Sequence, residues 1–207
     1  MVQKKIDAEP KRRGRPRAYD PEAALQRATD TFWRTGYAGT SLDEISAATG
    51  MNRPSLYAAF GDKRALYLEA LAHYWQLAFA DMQDALAEDL PLGEALMRVY
   101  DGALSIYFSG DGHPRGCFVL GTAVTEAAED SDIRNSLAAG FHKFDMDFEA
   151  RLRTAIEHGE LKADTDPAAL AVIATATMHT IAIRARSGTP RDDLRALARK
   201  AITIICG

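Results

Sequence analysis

The stretch from Thr40 to Lys63, TSLDEISAATGMNRPSLYAAFGDK, leaves the chain few conformations to choose from. Gly50 separates two short runs whose apolar residues recur at helical spacing: Leu42, Ile45 and Ala48 before it, Leu56 and Phe60 after it. Thr40 or Ser41 can cap the first helix, because a side-chain oxygen there accepts an orphan backbone N–H. Glu44 follows Ser41 by three positions, the spacing of a capping box. Gly50 can take a positive φ at little cost and so ends that helix. Asn52 is a fresh cap, and Pro54 falls in the next first turn, where its missing N–H is harmless. With Leu56 and Phe60 turned inward, Arg53, Ser55, Tyr57 and Ala58 face outward. The pattern is a helix-turn-helix, whose second helix enters the DNA major groove.

The residues sharpen this reading. Phe32, Gly36, Tyr37, Thr40, Ser41, Ile45, Ala48, Gly50, Ser55, Leu56, Tyr57, Phe60, Lys63 and Leu66 resemble the DNA-binding signature of the TetR/AcrR family. The resemblance covers about the first third of the chain; the rest agrees in length and helical character. It implies an all-α protein: an N-terminal three-helix DNA-binding domain joined by a long helix to a helical ligand-binding and dimerisation domain. It also implies a homodimeric, ligand-responsive transcription regulator, usually a repressor. The corresponding divisions are a basic flexible arm at 1–19, the helix-turn-helix domain at 20–64 and the body at 65–207.

Net charge taken alone, −4, argues against nucleic acid, but its distribution does not. Residues 1–64 carry 12 Lys/Arg against 8 Asp/Glu; residues 65–207 carry 13 against 21. A basic head and an acidic body follow. Two cysteines, Cys117 and Cys206, make no disulfide framework, so a reducing cytoplasm is expected. No apolar run is read as approaching the roughly 20 residues of a bilayer span, and no signal peptide is visible. The expectation is a soluble, cytoplasmic protein with no membrane partner.

The operator should be a palindromic double-stranded DNA, because two recognition helices on a dimer must meet successive major grooves about 34–36 Å apart. Arg53, at the start of the recognition helix, is the first candidate for reading a base, since a guanidinium can bond guanine O6 and N7 together. Asn52 reads a base or caps. Pro54 and Ser55 make close contacts, Tyr57 and Lys63 hold phosphates, and Thr40 and Ser41 divide between capping and phosphate contact. Ala59 departs from the polar or aromatic residue common there in the family. In the arm, Arg13, Arg15 and Arg17 around Gly14 and Pro16 resemble an AT-hook core, suited to a narrow A·T minor groove; the plainer reading is a solubilising tail on phosphates.

Helices are expected at 21–35, at 62 to about 88, and from Pro91 through Phe108. A further one runs from Cys117 through Ala128, and one capped by Ser131 or Asp132 reaches His158. The last two are 166–187 and 191–206. Leu170 to Ile183 is apolar nearly all round and needs cover on several sides. Ile173, Thr177, Ile181, Leu194, Leu197, Ala201 and Ile205 are the candidate dimer interface, placed there chiefly by the resemblance.

An effector pocket, if the body holds one, would draw on Trp75, Phe79, Met82, Tyr100, Tyr107, Cys117, Phe118, Phe141, Phe144 and Met178, with Thr122, Thr177 and His179 as polar partners. Taken singly, each of these reads more readily as ordinary core. Cys117 offers a rival switch by oxidation or electrophile modification: it follows Gly116, stands near Arg115 and is read as starting a helix, features that lower a thiol pKa. His142, Asp145, Asp147 and Glu149 do not close a metal site. With no HExxH, GxSxG, P-loop or paired-cysteine motif, neither catalysis nor a cofactor is implied. The competing classes are a helical small-molecule-binding protein with an incidental helix-turn-helix, and an architectural protein using its basic arm.

Overall fold

The computed structural model describes residues 20–87, 89–110 and 112–207. Those described residues are all-helical: α1 (Pro21–Gly39), α2 (Leu42–Thr49), α3 (Arg53–Phe60), α4 (Lys63–Ala87), α5 (Leu92–Tyr107), α6 (Phe118–Thr122), a 3-10 turn (Glu126–Ala128), α7 (Ser131–Glu157), α8 (Pro167–Arg186) and α9 (Arg191–Cys206). The proposed arm contacts of Arg13, Arg15 and Arg17 lie outside the described residues.

Local chemistry sets the first three helices. Asp20 Oδ1 accepts from the N–H of Glu22 at 3.0 Å, with Pro21 at the first position of α1. Gly36 breaks α1 with φ 76° and ψ 170°, and one more turn runs on to Gly39. Ser41 and Glu44 form the reciprocal capping box, at 3.2 and 2.7 Å. Gly50 closes α2 at φ 70°. Asn52 Oδ1 caps α3 by accepting from Ser55 N at 2.9 Å. Ala28, Phe32, Ile45, Leu56 and Leu66 are buried together as the core of the head.

α4 crosses from head to body, touching α1 and α3 at one end and α5 and α7 beyond. At about 1.5 Å per residue, its 25 residues make it the longest link between the two. In the body, α7 and α8 pack along each other, and α9 lies against α5 and α8. An aromatic cluster ties head to body: Phe118 meets Trp33 and Tyr74 edge-on or tilted at 5.6 and 5.5 Å.

Four expectations are corrected. The helix expected from Cys117 through Ala128 is broken: α6 is only five residues, followed by a turn and the 3-10 segment. Asp130, not Ser131 or Asp132, caps α7, accepting from the backbone N–H of Asp132 and Ile133. α8 does reach the length and apolarity of a membrane span, with mean hydropathy 1.5 over its best window. Its buried face, Ala171, Ala174, Thr175, Met178, Ile181, Ala182 and Ala185, packs inside the bundle. Finally, Ile181, Leu194 and Ile205 cannot face a second subunit, because they are at most 2 % exposed within one chain. Of the other candidate interface residues, Ile173 is exposed, and Thr177, Leu197 and Ala201 are half-buried.

Candidate functional site

The head presents α3 to solvent on one side only. Leu56 and Phe60 are buried, whereas Asn52, Arg53, Pro54 and Tyr57 are exposed and Ser55 is half-buried. The periodicity of a short amphipathic helix produces this split. Thr40 is not part of that surface. It is 2 % exposed, and its hydroxyl donates to the Gly36 carbonyl at 2.6 Å, an acceptor freed by the break in α1. Ser41 remains exposed, but its hydroxyl is engaged with Glu44. Lys63, at the start of α4, has its Nζ 4.4 Å over the Tyr37 ring.

Arg53 is not a loose side chain. Its Nε and Nη2 donate to the two carboxylate oxygens of Asp43 in α2, at 2.8 and 2.6 Å. This side-on fork is the bidentate geometry that matches a carboxylate. Asp43 titrates below the ordinary carboxylate range, chiefly because Arg53 hydrogen-bonds its charged form. The pair was not foreseen from the sequence, although the ten-residue spacing across a helix-turn-helix carries the signal.

Inside the body, a narrow apolar cavity of about 30 Å³ lies between α4, α5, α7 and α8. That is room for little more than a water molecule. Trp75, Met82, Tyr107, Cys117, Phe141, Phe144 and Met178 line it as expected for a pocket, together with Tyr74, Asp81, Val99, Ile106 and His179. Three of the candidate pocket residues do not reach it. Phe79 stacks on the Trp75 ring at 5.3 Å. Tyr100 is fully buried and donates to the Ala174 carbonyl at 3.2 Å. Phe118 is fully buried in the head–body aromatic cluster. Thr122 is also elsewhere, bonded to Tyr67 and to the Phe118 carbonyl. His179 Nε2 is buried without a partner, and burial lowers its pKa against the opposing pull of Asp145.

Cys117 fails the test for an activated thiol. Burial raises its pKa, although Tyr74 donates a hydrogen bond to its sulfur at 3.3 Å. Arg115 is turned away: its guanidinium lies 4.2 Å over the Trp33 ring and pairs with Asp30 at 2.6 Å. The sequence proximity that suggested activation therefore has no counterpart in space. Arg115 instead clamps α1 of the head to the loop that precedes the cavity. Arg186 holds that loop from α8, donating to the Arg115 carbonyl at 3.0 Å.

An N-terminal helix-turn-helix on a helical body defines a class of DNA-binding transcription regulators, and the comparisons with known proteins agree. Residues 24–70 match the family described as bacterial regulatory proteins, tetR family, and residues 94–202 match the tetracyclin repressor-like C-terminal domain. The HTH-type transcriptional repressor ComR of Escherichia coli is 30 % identical over 188 residues, spanning 91 % of this chain and 90 % of ComR. The repressor BdcR of the same organism is 39 % identical over 120 residues, 58 % of this chain and 59 % of BdcR. A cysteine mutant of the TetR family regulator CifR, solved with 26-base-pair operator DNA, is 36 % identical with a TM-score of 0.82, covering 91 % of this chain and 98 % of that one. The chain belongs to the TetR family of transcriptional regulators.

Proposed function

We propose that this protein is a homodimeric repressor that binds a palindromic operator and is released from it by a small apolar or amphipathic effector. The observation that carries the reading is the one-sided exposure of α3: Leu56 and Phe60 inward, Arg53, Pro54 and Tyr57 outward. A helix so presented can enter a major groove without unfolding anything. The repressors ComR and BdcR and the operator complex of CifR support the same direction.

Dimerisation rests on α8. Val172, Ile173 and Ile183 leave 44–59 % of their surface exposed, and Ile204 on α9 leaves 74 %. So many large aliphatics on one pair of helices favour cover by a second copy. Release by an effector rests on the cavity and its link to the head. Cys117 lines the cavity two residues from Arg115, whose side chain grips Asp30 and Trp33 of α1. An effector that holds the cavity open favours one body geometry, DNA favours another, and the two affinities are then reciprocally coupled.

An electrophoretic shift with the DNA upstream of its own coding region tests operator binding. Sedimentation of the free protein tests the dimer. Specific retardation of that DNA by a dimer is the expected result; retardation indifferent to sequence, or by a monomer, refutes the reading.

A further inference from the structure

We propose that Asp43 is a positioning residue that holds Arg53 ready to read guanine. The inference rests on α3 being the DNA-reading helix. A guanidinium carries five N–H donors on two usable edges. Asp43 occupies the side-on edge, taking Nε–H and one Nη2–H at 2.8 and 2.6 Å. The end-on edge, Nη1–H with the other Nη2–H, has no partner among the described residues. That edge is a parallel pair of donors, the geometry that bonds guanine O6 and N7 together. Arg53 therefore need not leave Asp43 to read a base; the two engagements use different hydrogens.

Charge gives the second argument. A carboxylate on a DNA-facing surface repels phosphates, and Asp43 leaves 74 % of its side chain exposed. Glu44 already serves the α2 cap, so Asp43 is not needed there. Joined to Arg53, it makes a neutral unit. Such a unit gains little from unspecific attraction to the backbone. What remains is directional hydrogen bonding, with the arginine's long side chain already ordered before DNA arrives. Asp43 thus trades general affinity for selectivity at one base pair per half-site.

The test is selection from a pool of randomised duplexes by the full chain, its Asp43→Asn, Asp43→Ala and Arg53→Ala variants, and the Asp43→Asn/Arg53→Ala double variant. Titration of each protein against the selected sequence at several salt concentrations follows. The wild type is expected to select an inverted repeat with one guanine preferred by at least about fivefold in each half-site, the range of a bidentate contact. Arg53→Ala loses that preference. Asp43→Asn and Asp43→Ala lose most of it while binding unrelated DNA more tightly, with a steeper salt dependence of about one extra ion per subunit. In the Arg53→Ala background, Asp43→Asn changes no base preference. If Asp43→Asn keeps or sharpens the guanine preference, Asp43 competes with DNA for Arg53 and the proposal is wrong. If the wild type selects no inverted repeat at all, the repressor reading fails first, an outcome distinct from the failure of Asp43's role. Both side chains are exposed, so unchanged melting temperatures of the variants exclude misfolding as the cause.

Discussion

Replacing Gly140 with alanine sets two effects of opposite sign against each other. In the interior of an exposed helix, Gly→Ala adds about 1 kcal/mol of stability by propensity alone. Gly140 lies in α7, but the Trp75 ring of α4 is pressed onto it: a Cβ there falls 2.3 Å from Cζ2 and 2.5 Å from Cε2. Those atoms cannot yield cheaply. Phe79 stacks on Trp75 at 5.3 Å, Phe141 and Phe144 meet its edge at 5.9 and 5.5 Å, and its Nε1 donates to Ser136 Oγ at 3.1 Å. Overpacking of such a site costs about 1–3 kcal/mol, and loss of the indole hydrogen bond about 1 kcal/mol more. After the propensity gain, the net is a loss of about 2 kcal/mol, or roughly 4–8 °C in melting temperature for a chain of this size. Circular dichroism melts measure it, with Gly93→Ala as the control, because a Cβ at Gly93 meets Ile202 at an ordinary 3.4 Å. Gly140→Ala is expected to melt lower than the parent and Gly93→Ala no lower. A Gly140→Ala protein that melts higher refutes the packing argument outright.

Three further outcomes follow from the same structure. Val172→Asp or Ile183→Asp should yield a folded monomer in sedimentation, whereas Leu194→Asp, buried within one chain, should lower the melting temperature sharply; a folded monomer from Leu194→Asp would restore that residue to the interface. Arg64 holds the Asp130 carboxylate at a pKa of about 2, so stability conferred by this pair is full above the ordinary carboxylate range and lost as pH falls from about 4 through 2. Urea titrations across that range should show a slope that Asp130→Asn flattens. His179 is buried in its neutral form with a lowered pKa, so the unfolded chain takes up the proton first and stability falls as pH drops below about 6.5; His179→Gln should remove that limb, and an unaltered pH profile would show that His179 is not its source.

The parts of this protein visible in its sequence are those governed by neighbours along the chain. Ser41 with Glu44, Gly50, Asn52 and Pro54 announce α2 and α3 because caps and turns are decided within four residues. The inward and outward residues of α3 follow from the same short period. What escaped notice depends on residues far apart or on helices without a polar side. α8 is apolar on nearly every face, so periodicity cannot tell Ile181, which is core, from Ile183, which is exposed. The break after Thr122 lies within an apolar run that carries no Gly or Pro between Phe118 and Ala128 other than Gly121. The turn of Arg115 toward Asp30, 85 residues away, removes it from Cys117, and nothing local signals that. The family resemblance supplied the order of the domains, but only coordinates divide the aromatic residues into those that bound the cavity and those that merely support it.

The narrowness of the cavity bears on timing as well as on affinity. A molecule larger than water cannot occupy about 30 Å³ until Trp75, Phe141, Met178 and their neighbours have moved apart, so on the proposed function effector entry waits on a rearrangement the protein makes by itself. On the proposed release by an effector, derepression at abundant effector should therefore level off at a ceiling rate set by that spontaneous breathing. The measured dissociation constant will also be weaker than the intrinsic one by the rarity of the open form. On the same proposal, substitutions that loosen the aromatic wall should hasten the response and, by the same stroke, blur the distinction between present and absent signal.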